Sequence, residues 1–401
     1  MIKKLGPGLL FAGAAIGVSH LVQSTKAGAE FGFGLIWALI LSNIFKYPFF
    51  LYGPKYAAAT GESLLDGYLK IGKPVLITYL VLSLVTMFTI QSAVTIVTAG
   101  LAIELFGFSS KIELWAILMI FVCMLILLIG KYKFLDRLIK FVIMLLAIST
   151  VLAVVFAANK SNNQISLQQV FPITSLNIAF LVAFMGWMPA PLDISIWQSI
   201  WTLEKKKKIK RLQKQEIIFD FNIGYITTIF LGICFMSLGF FVMYGTDQTF
   251  SSNGGVFASQ LISLYTQSIG ESVFIIIAIA AFTTMFSTTI TCLDASPRAM
   301  KKTFELLDIK QLASYKLWIG ILSFGTSFIF IFLMSEMGFL VKVATILSFV
   351  TTPFYAIINH ILIYSKHNPE NNRPKRSIKI LSILGIIFLT CFTVWYLTLI
   401  I

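Results

Sequence analysis

The strongest constraint on this chain is a series of eleven apolar windows, each about twenty residues long or more and thus able to cross a bilayer as a helix. They lie near 8–29, 33–58, 75–103, 112–130, 138–158, 175–201, 216–244, 272–298, 313–334, 338–365 and 378–401. Composition agrees: 58% of the 401 residues are hydrophobic and only 12% are charged, against about 45–50% and 25% in soluble domains. The expectation is an all-α polytopic membrane protein. The first window lacks a clear small-residue cleavage site and runs into another helix, so it reads as a retained span rather than a signal peptide. The longest polar stretches, Asn159–Ser175, Leu203–Gln215, Gly245–Gly254 and Lys366–Arg376, are too short to bury a core. A single transmembrane domain over 1–401 is therefore expected, with a short external helix after Asn253-Gly254-Gly255.

The net charge of +14 would suggest nucleic acid in a soluble protein, but its distribution points to a membrane. With the N terminus in the cytoplasm, the inner ends and loops hold Lys3, Lys4, Lys70, Lys73, Lys131, Lys133, Arg137, the run "EKKKKIKRLQK" from Glu204, Arg298, Lys301, Lys302 and "SKHNPENNRPKR" from Ser365. The outer loops hold little more than Lys111 and Lys160. This is the positive-inside pattern; it predicts a multi-pass protein of the plasma (inner) membrane with its C terminus outside. The lysine run reads as a loop near anionic headgroups, not as a nucleic-acid arm. Cys123, Cys234, Cys292 and Cys391 lie in apolar spans without CxxC spacing and read as small buried hydrophobes.

Two windows are interrupted. Span one carries Gly17-Val18-Ser19-His20 in the middle of its apolar run, and span six reads "LVAFMGWMPAPLDISIWQS", with Gly186, Pro189 and Pro191. Two prolines two residues apart break a helix by removing backbone donors and clashing with the preceding turn. The interrupted spans are five apart, an odd offset that gives the two halves opposite orientations. Paired broken helices at matching positions of inverted halves are the signature of a secondary transporter with a midplane site. The repeats would cover about 8–158 and 175–365, an inverted five-plus-five arrangement, with an eleventh helix at about 378–401.

The stretches "GPGLLFAGAAIG" and "QSTKAGAEFGFGLIWALILSN", with "GWMP" in span six, resemble the Nramp family of proton-coupled divalent-metal transporters, and the eleven-span layout extends the likeness over nearly the whole chain. The resemblance implies a leucine-transporter-like fold. It also implies a metal site built from an Asp-Pro-Gly-Asn motif in helix one and Met-Pro-His in helix six, through the Asp, the Asn, the Met sulfur and a backbone carbonyl. Anchored on "AGAEFGFG", the helix-one motif falls on Gly17, Val18, Ser19 and His20, so its carboxylate is lost. In helix six Met188 and Pro189 are kept, while Ala190 and Pro191 stand where the His and its successor would be.

The candidate substrate site is therefore Gly17, Val18, Ser19, His20, Met188, Pro189, Ala190 and Asp193. His20 reads as an imidazole ligand, a proton carrier or a structural histidine. Asp193, a carboxylate at membrane depth, reads either as a replacement for the lost acid or as an N-cap of the second half-helix. His20, Met188 and Asp193 together would make a mixed N/O/S metal site suited to Mn²⁺ or Fe²⁺. In span eight, Thr284, Ser287, Thr288 and Thr291 share one helical face. In transporters of the resembled fold such hydroxyls bind Na⁺, which makes Ser287, Thr288 and Thr291 candidate coupling-ion ligands; the alternative is hydroxyls bonded to their own helix's carbonyls. Asp294 and Arg298, like Lys26 and Glu30, are spaced as local ion pairs. Lys46 in span two reads as snorkelling or paired with a carboxylate, and it argues against a naked cation beside it.

Phosphate-binding loops, nucleotide motifs, HExxH spacing and a Ser–His–Asp arrangement are absent, which argues against an enzyme or an ATP-driven pump and calls for no cofactor. The expected partners are the lipid bilayer and a small ion or solute. The leading expectation is a divalent metal cargo (Mn²⁺, Fe²⁺ or Mg²⁺), with Na⁺ or H⁺ as coupling ion. The alternative is Na⁺-coupled movement of a small polar or anionic solute. A non-transporting sensor ranks last, for want of an output domain.

Overall fold

The computed structural model describes residues 6–129, 132–209, 213–246, 274–333 and 337–400, with Gln260 and Ser263; side chains at 132–140, 274–277, 337–342 and 400 are excepted. Lys3, Lys4, Lys131, part of the lysine run and the helix expected after Gly255 lie outside the described residues, as do the side chains of Lys133 and Arg137.

Over its described residues each apolar window is mostly helical. Span one is α1 (Pro7–Ala15), a π-helical turn (Ser19–Ser24) and α2 (Thr25–Phe31). Span two is α3 (Ile36–Thr60), continuous through Pro48 and Pro54. After a short helix α4 (Leu64–Ile71) come α5 (Lys73–Phe106), α6 (Ile112–Ile129) and α7 (Tyr132–Lys160). Span six is α8 (Ser175–Trp187) and α9 (Ile194–Lys208), span seven α10 (Lys214–Met243), span eight α11 (Phe274–Leu306) and span nine α12 (Tyr315–Phe332). Span ten divides into α13 (Met337–Val350) and α14 (Thr352–Tyr364), and span eleven is α15 (Arg376–Ile400). Among the described residues eight helices are long and apolar enough to cross a membrane, and the two arms of span one, bent by 50°, make a ninth.

Two features escape the window analysis. Helix α4 is too short to register as a window; Ser63 and Asp66 start it with a reciprocal capping box. Span ten is interrupted at Thr351, where Pro353 in the first turn of α14 removes a backbone donor. A correction concerns cysteine. Cys123, Cys234 and Cys292 are buried and free, but Cys391 is exposed, because α15 packs on the bundle along one side only.

Helices in lipid gain little from apolar burial against one another, so close backbone approach counts for more. Span seven illustrates this along both arms of span one. Gly8 and Gly224 meet backbone to backbone, Gly28 faces the Met236 carbonyl, and Gly239 faces the Thr25 carbonyl; a Cβ at any of the four would collide. Asp220 of span seven also accepts from the backbone N–H groups of Gly6 (3.0 Å) and Gly8 (2.8 Å). It thereby satisfies orphan donors at the start of α1 and places a negative charge at the positive end of that helix. Spans one and seven thus form one packed unit, with α3 against α9 and α11 against α5.

Candidate functional site

The breaks of spans one and six face each other across a small cavity lined by Ala15, Val18 and Ser19 from span one and by Trp187, Pro191 and Asp193 from span six. Thr288 and Cys292 of span eight, with Ile90 and Val94 of span three, close its other walls.

In span one the α-helix stops at Ala15 and resumes after Val18, leaving carbonyls without helical partners. The Thr288 hydroxyl lies 3.0 Å from the Gly13 carbonyl and 3.1 Å from that of Ile16, and Ser19 Oγ lies 2.7 Å from the Ala15 carbonyl. Gly17 makes this contact possible: a Cβ there would come within 2.8 Å of the Thr288 side chain. The acid that the resemblance places at this position has no room in this packing.

His20 is fully buried and turned toward span seven, with Nε2 2.9 Å from the Thr228 carbonyl and Nδ1 2.7 Å from Ser19 Oγ. A carbonyl only accepts, so Nε2 carries a proton and donates. In the neutral ring Nδ1 then accepts from Ser19, whose single hydrogen is shared with the Ala15 carbonyl. Both ring nitrogens are engaged, and His20 does not line the cavity.

In span six, helix α8 ends at Trp187 and α9 begins at Ile194, with a cis peptide between Met188 and Pro189. Asp193 stands at the N-cap position but makes no capping hydrogen bond. Its Oδ1 is buried without a partner while the residue lines the cavity. The Met188 side chain is fully buried away from the cavity, and a Cβ on Gly232 of span seven would sit 3.6 Å from its sulfur. The three expected metal ligands are therefore not brought together. Asp193 faces the cavity, whereas His20 is consumed by Thr228 and Ser19, and Met188 packs against span seven. Of the other expected site residues, Val18 and Ser19 line the cavity, Gly17 abuts Thr288, and the Pro189 carbonyl lies 3.4 Å from Ser19 Oγ.

The hydroxyl face of span eight also divides. Ser287 donates to the Thr284 carbonyl and Thr291 to the Ser287 carbonyl, both within their own helix. Thr288 alone of the three reaches the span-one break. The next residue, Thr289, bonds Thr98 of span three at 2.7 Å, a contact that the shared-face reading missed.

Lys46 has the largest role that the sequence did not reveal. It is fully buried, and its Nζ lies 2.7 Å from the carbonyls of Met185 and Gly186, 3.1 Å from Met188 and 3.4 Å from Ala190. It neither snorkels nor forms an ion pair with a carboxylate. Its position in an apolar span signalled that it mattered, but its partners are backbone atoms, which no side-chain pattern marks.

Toward the lysine-rich end polar contacts knit the bundle. Asp294 accepts from Arg298 Nε and from the Tyr315 hydroxyl, each at 2.7 Å. Lys302 pairs with Asp66 at 2.7 Å, and Asn359 joins Tyr68 (2.7 Å) to Ser195 (3.0 Å). Lys26 and Glu30 form the expected i,i+4 pair at 3.5 Å.

Comparison with known proteins places the chain. It is 36% identical over 400 residues to an uncharacterized protein of Pasteurella multocida, covering 98% of this chain and 91% of that one. In structure it is similar to a manganese transporter of Eremococcus coleocola, with TM-score 0.73, 15% identity, and 98% of this chain and 85% of that one covered. It is also similar to Mhp1, a nucleobase-cation-symport-1 family transporter, with TM-score 0.62, 12% identity, and 98% and 92% covered. The fold is thus the leucine-transporter-like one, with its inverted five-plus-five helices and an eleventh. The family model of natural resistance-associated macrophage protein-like proteins matches residues 8–399, and the chain belongs to this Nramp family of multi-pass membrane transporters.

Proposed function

We propose that this chain moves a divalent metal cation (Mn²⁺, Fe²⁺ or Mg²⁺) by alternating access, with the cargo held between the breaks of spans one and six. The observation that carries this reading is Asp193, a buried carboxylate with one oxygen unpartnered at the cavity wall. A carboxylate at membrane depth is costly and is retained where it has work to do. Ser19 and Thr288 bring hydroxyl oxygens and Cys292 a sulfur to the same cavity, a donor set that suits first-row divalent ions. The manganese transporter of similar fold supports a metal as cargo. In this reading 8–158 and 175–365 are the inverted repeats, and spans one and seven rock as one body. The N terminus is cytoplasmic, the C terminus lies outside, and the membrane is the plasma membrane. The Asp294, Arg298 and Tyr315 cluster then closes the cytoplasmic side. Influx of Mn²⁺ and Mg²⁺ into proteoliposomes, with and without imposed Na⁺ and pH gradients, tests the reading; loss of that influx in Asp193→Ala is the expected result.

Lys46 favours a second reading. A lysine held among the carbonyls of the span-six break disfavours a dication in the same cavity, and it suits Na⁺-coupled transport of a small polar or anionic solute. Absence of Mn²⁺ and Mg²⁺ influx above empty liposomes under every gradient would select this alternative.

A further inference from the structure

We propose that the carbonyls of Met185, Gly186, Met188 and Ala190 form a cation-binding basin at the break of span six, and that the Lys46 ammonium is its resident cation. The inference does not depend on which cargo is carried. It starts from the prolines. Pro189 has no N–H to return to the Met185 carbonyl four residues earlier, and the break deprives the Gly186 carbonyl in the same way. The end of α8 thus presents unpaired carbonyl oxygens, which carry the negative end of the helix dipole. Four of them converge within 3.4 Å of one point. Convergent backbone carbonyls are the arrangement that replaces the hydration shell of an alkali ion in channel filters. Here Lys46 fills the position: its three N–H groups match the three nearest oxygens, and the side chain is fully buried. A polar head buried this deeply is costly unless its N–H groups find acceptors, and here the carbonyls supply them.

A basin already holding a tethered cation is closed to a transported or coupling cation. Any inorganic cation must take its ligands from other groups at the cavity: Asp193 at the start of α9, Ser19 of span one and Thr288 of span eight. Lys46 is therefore a positioning residue that holds the broken half of span six against span two.

The test uses the purified full chain in detergent and needs no knowledge of the cargo. Thermal unfolding of wild type, Lys46→Ala and Lys46→Met is followed in methylammonium chloride and in tetramethylammonium chloride, each at about 100 mM, so that only a cation with N–H donors can refill the basin. Lys46→Ala should unfold several degrees below wild type in tetramethylammonium and regain at least half of that loss in methylammonium. Wild type should not distinguish the salts. If Lys46→Ala folds only when prepared in methylammonium, the proposal is equally supported. Equal stability of Lys46→Ala in both salts would overturn it, as would wild-type stability of Lys46→Met, which leaves the carbonyls unpaired. Failure of both variants to fold in either salt would also overturn it, because a basin that needs only a cation would be refilled.

Discussion

Spans one and six are broken at matching positions, yet their free carbonyls are satisfied in different ways. At span one the partners are neutral: a single hydroxyl hydrogen of Thr288 faces the carbonyls of Gly13, Ile16 and Thr284 at 3.0, 3.1 and 3.2 Å. At span six a full ammonium with three hydrogens sits among four carbonyls. The first break is under-supplied with donors and the second is saturated. The capacity to accept a cation therefore lies on the span-one side, together with the unpartnered oxygen of Asp193. Two breaks that look alike in sequence have become a receiving wall and a fixed wall.

The contrast can be broken most forcefully at the fixed wall. Lys46→Met leaves buried carbonyls unpaired and should destabilise the protein by about 1–3 kcal/mol for each oxygen left unsatisfied. Thermal unfolding of the purified variant measures it, and a loss much below this would place span six on the same footing as span one. Gly17→Ala comes next. Its added methyl meets Thr288, and overpacking of this kind costs about 1–3 kcal/mol. The same free energy placed on the transport cycle would lower influx about 5- to 150-fold. Unaltered transport would mean that span eight is not pressed against the break.

The smaller effects sharpen the receiving wall. Thr288→Val removes the hydroxyl that serves several carbonyls and should cost about 1–2 kcal/mol, along with any Na⁺ stimulation of uptake. Ser287→Ala and Thr291→Ala, whose hydroxyls bond within their own helix, should stay within about 0.5 kcal/mol of wild type. Uptake assayed at varied Na⁺ would decide the matter; equal losses in all three variants would restore the whole hydroxyl face as the coupling site.

Much of this architecture was legible in the sequence because bilayer thickness sets the length of an apolar window and proline has no N–H to give. Those two facts located the apolar windows and the break of span six, whereas the break of span one was marked by Gly17, Ser19 and His20 inside an apolar run. Neither fact registered α4 or the interruption of span ten, where Pro353 lies inside a run that hydropathy reads as one continuous window. The site was legible in part. Asp193, Val18 and Ser19 line the cavity between the breaks, and they lie within or beside the two interruptions that the sequence marks. His20 and Met188 were misread because a broken helix can turn its side chains either inward or toward a neighbour, and Thr228 and Gly232 of span seven settle that choice at long range. Lys46 was noticed but wrongly partnered, since carbonyls have no signature in side-chain sequence. The loss of the family acid at Gly17 was visible; the close approach of Thr288 to that position is a tertiary contact and was not.

The central claim is that Asp193 is the charged ligand of a cation cargo. The most direct test is Mn²⁺ and Mg²⁺ influx into proteoliposomes holding wild type or Asp193→Ala, under imposed Na⁺ and pH gradients. Influx in the wild type under one of these gradients, abolished in Asp193→Ala while thermal unfolding of the variant stays near wild type, is the result expected. Equal influx in wild type and variant, or none above empty liposomes, would contradict it.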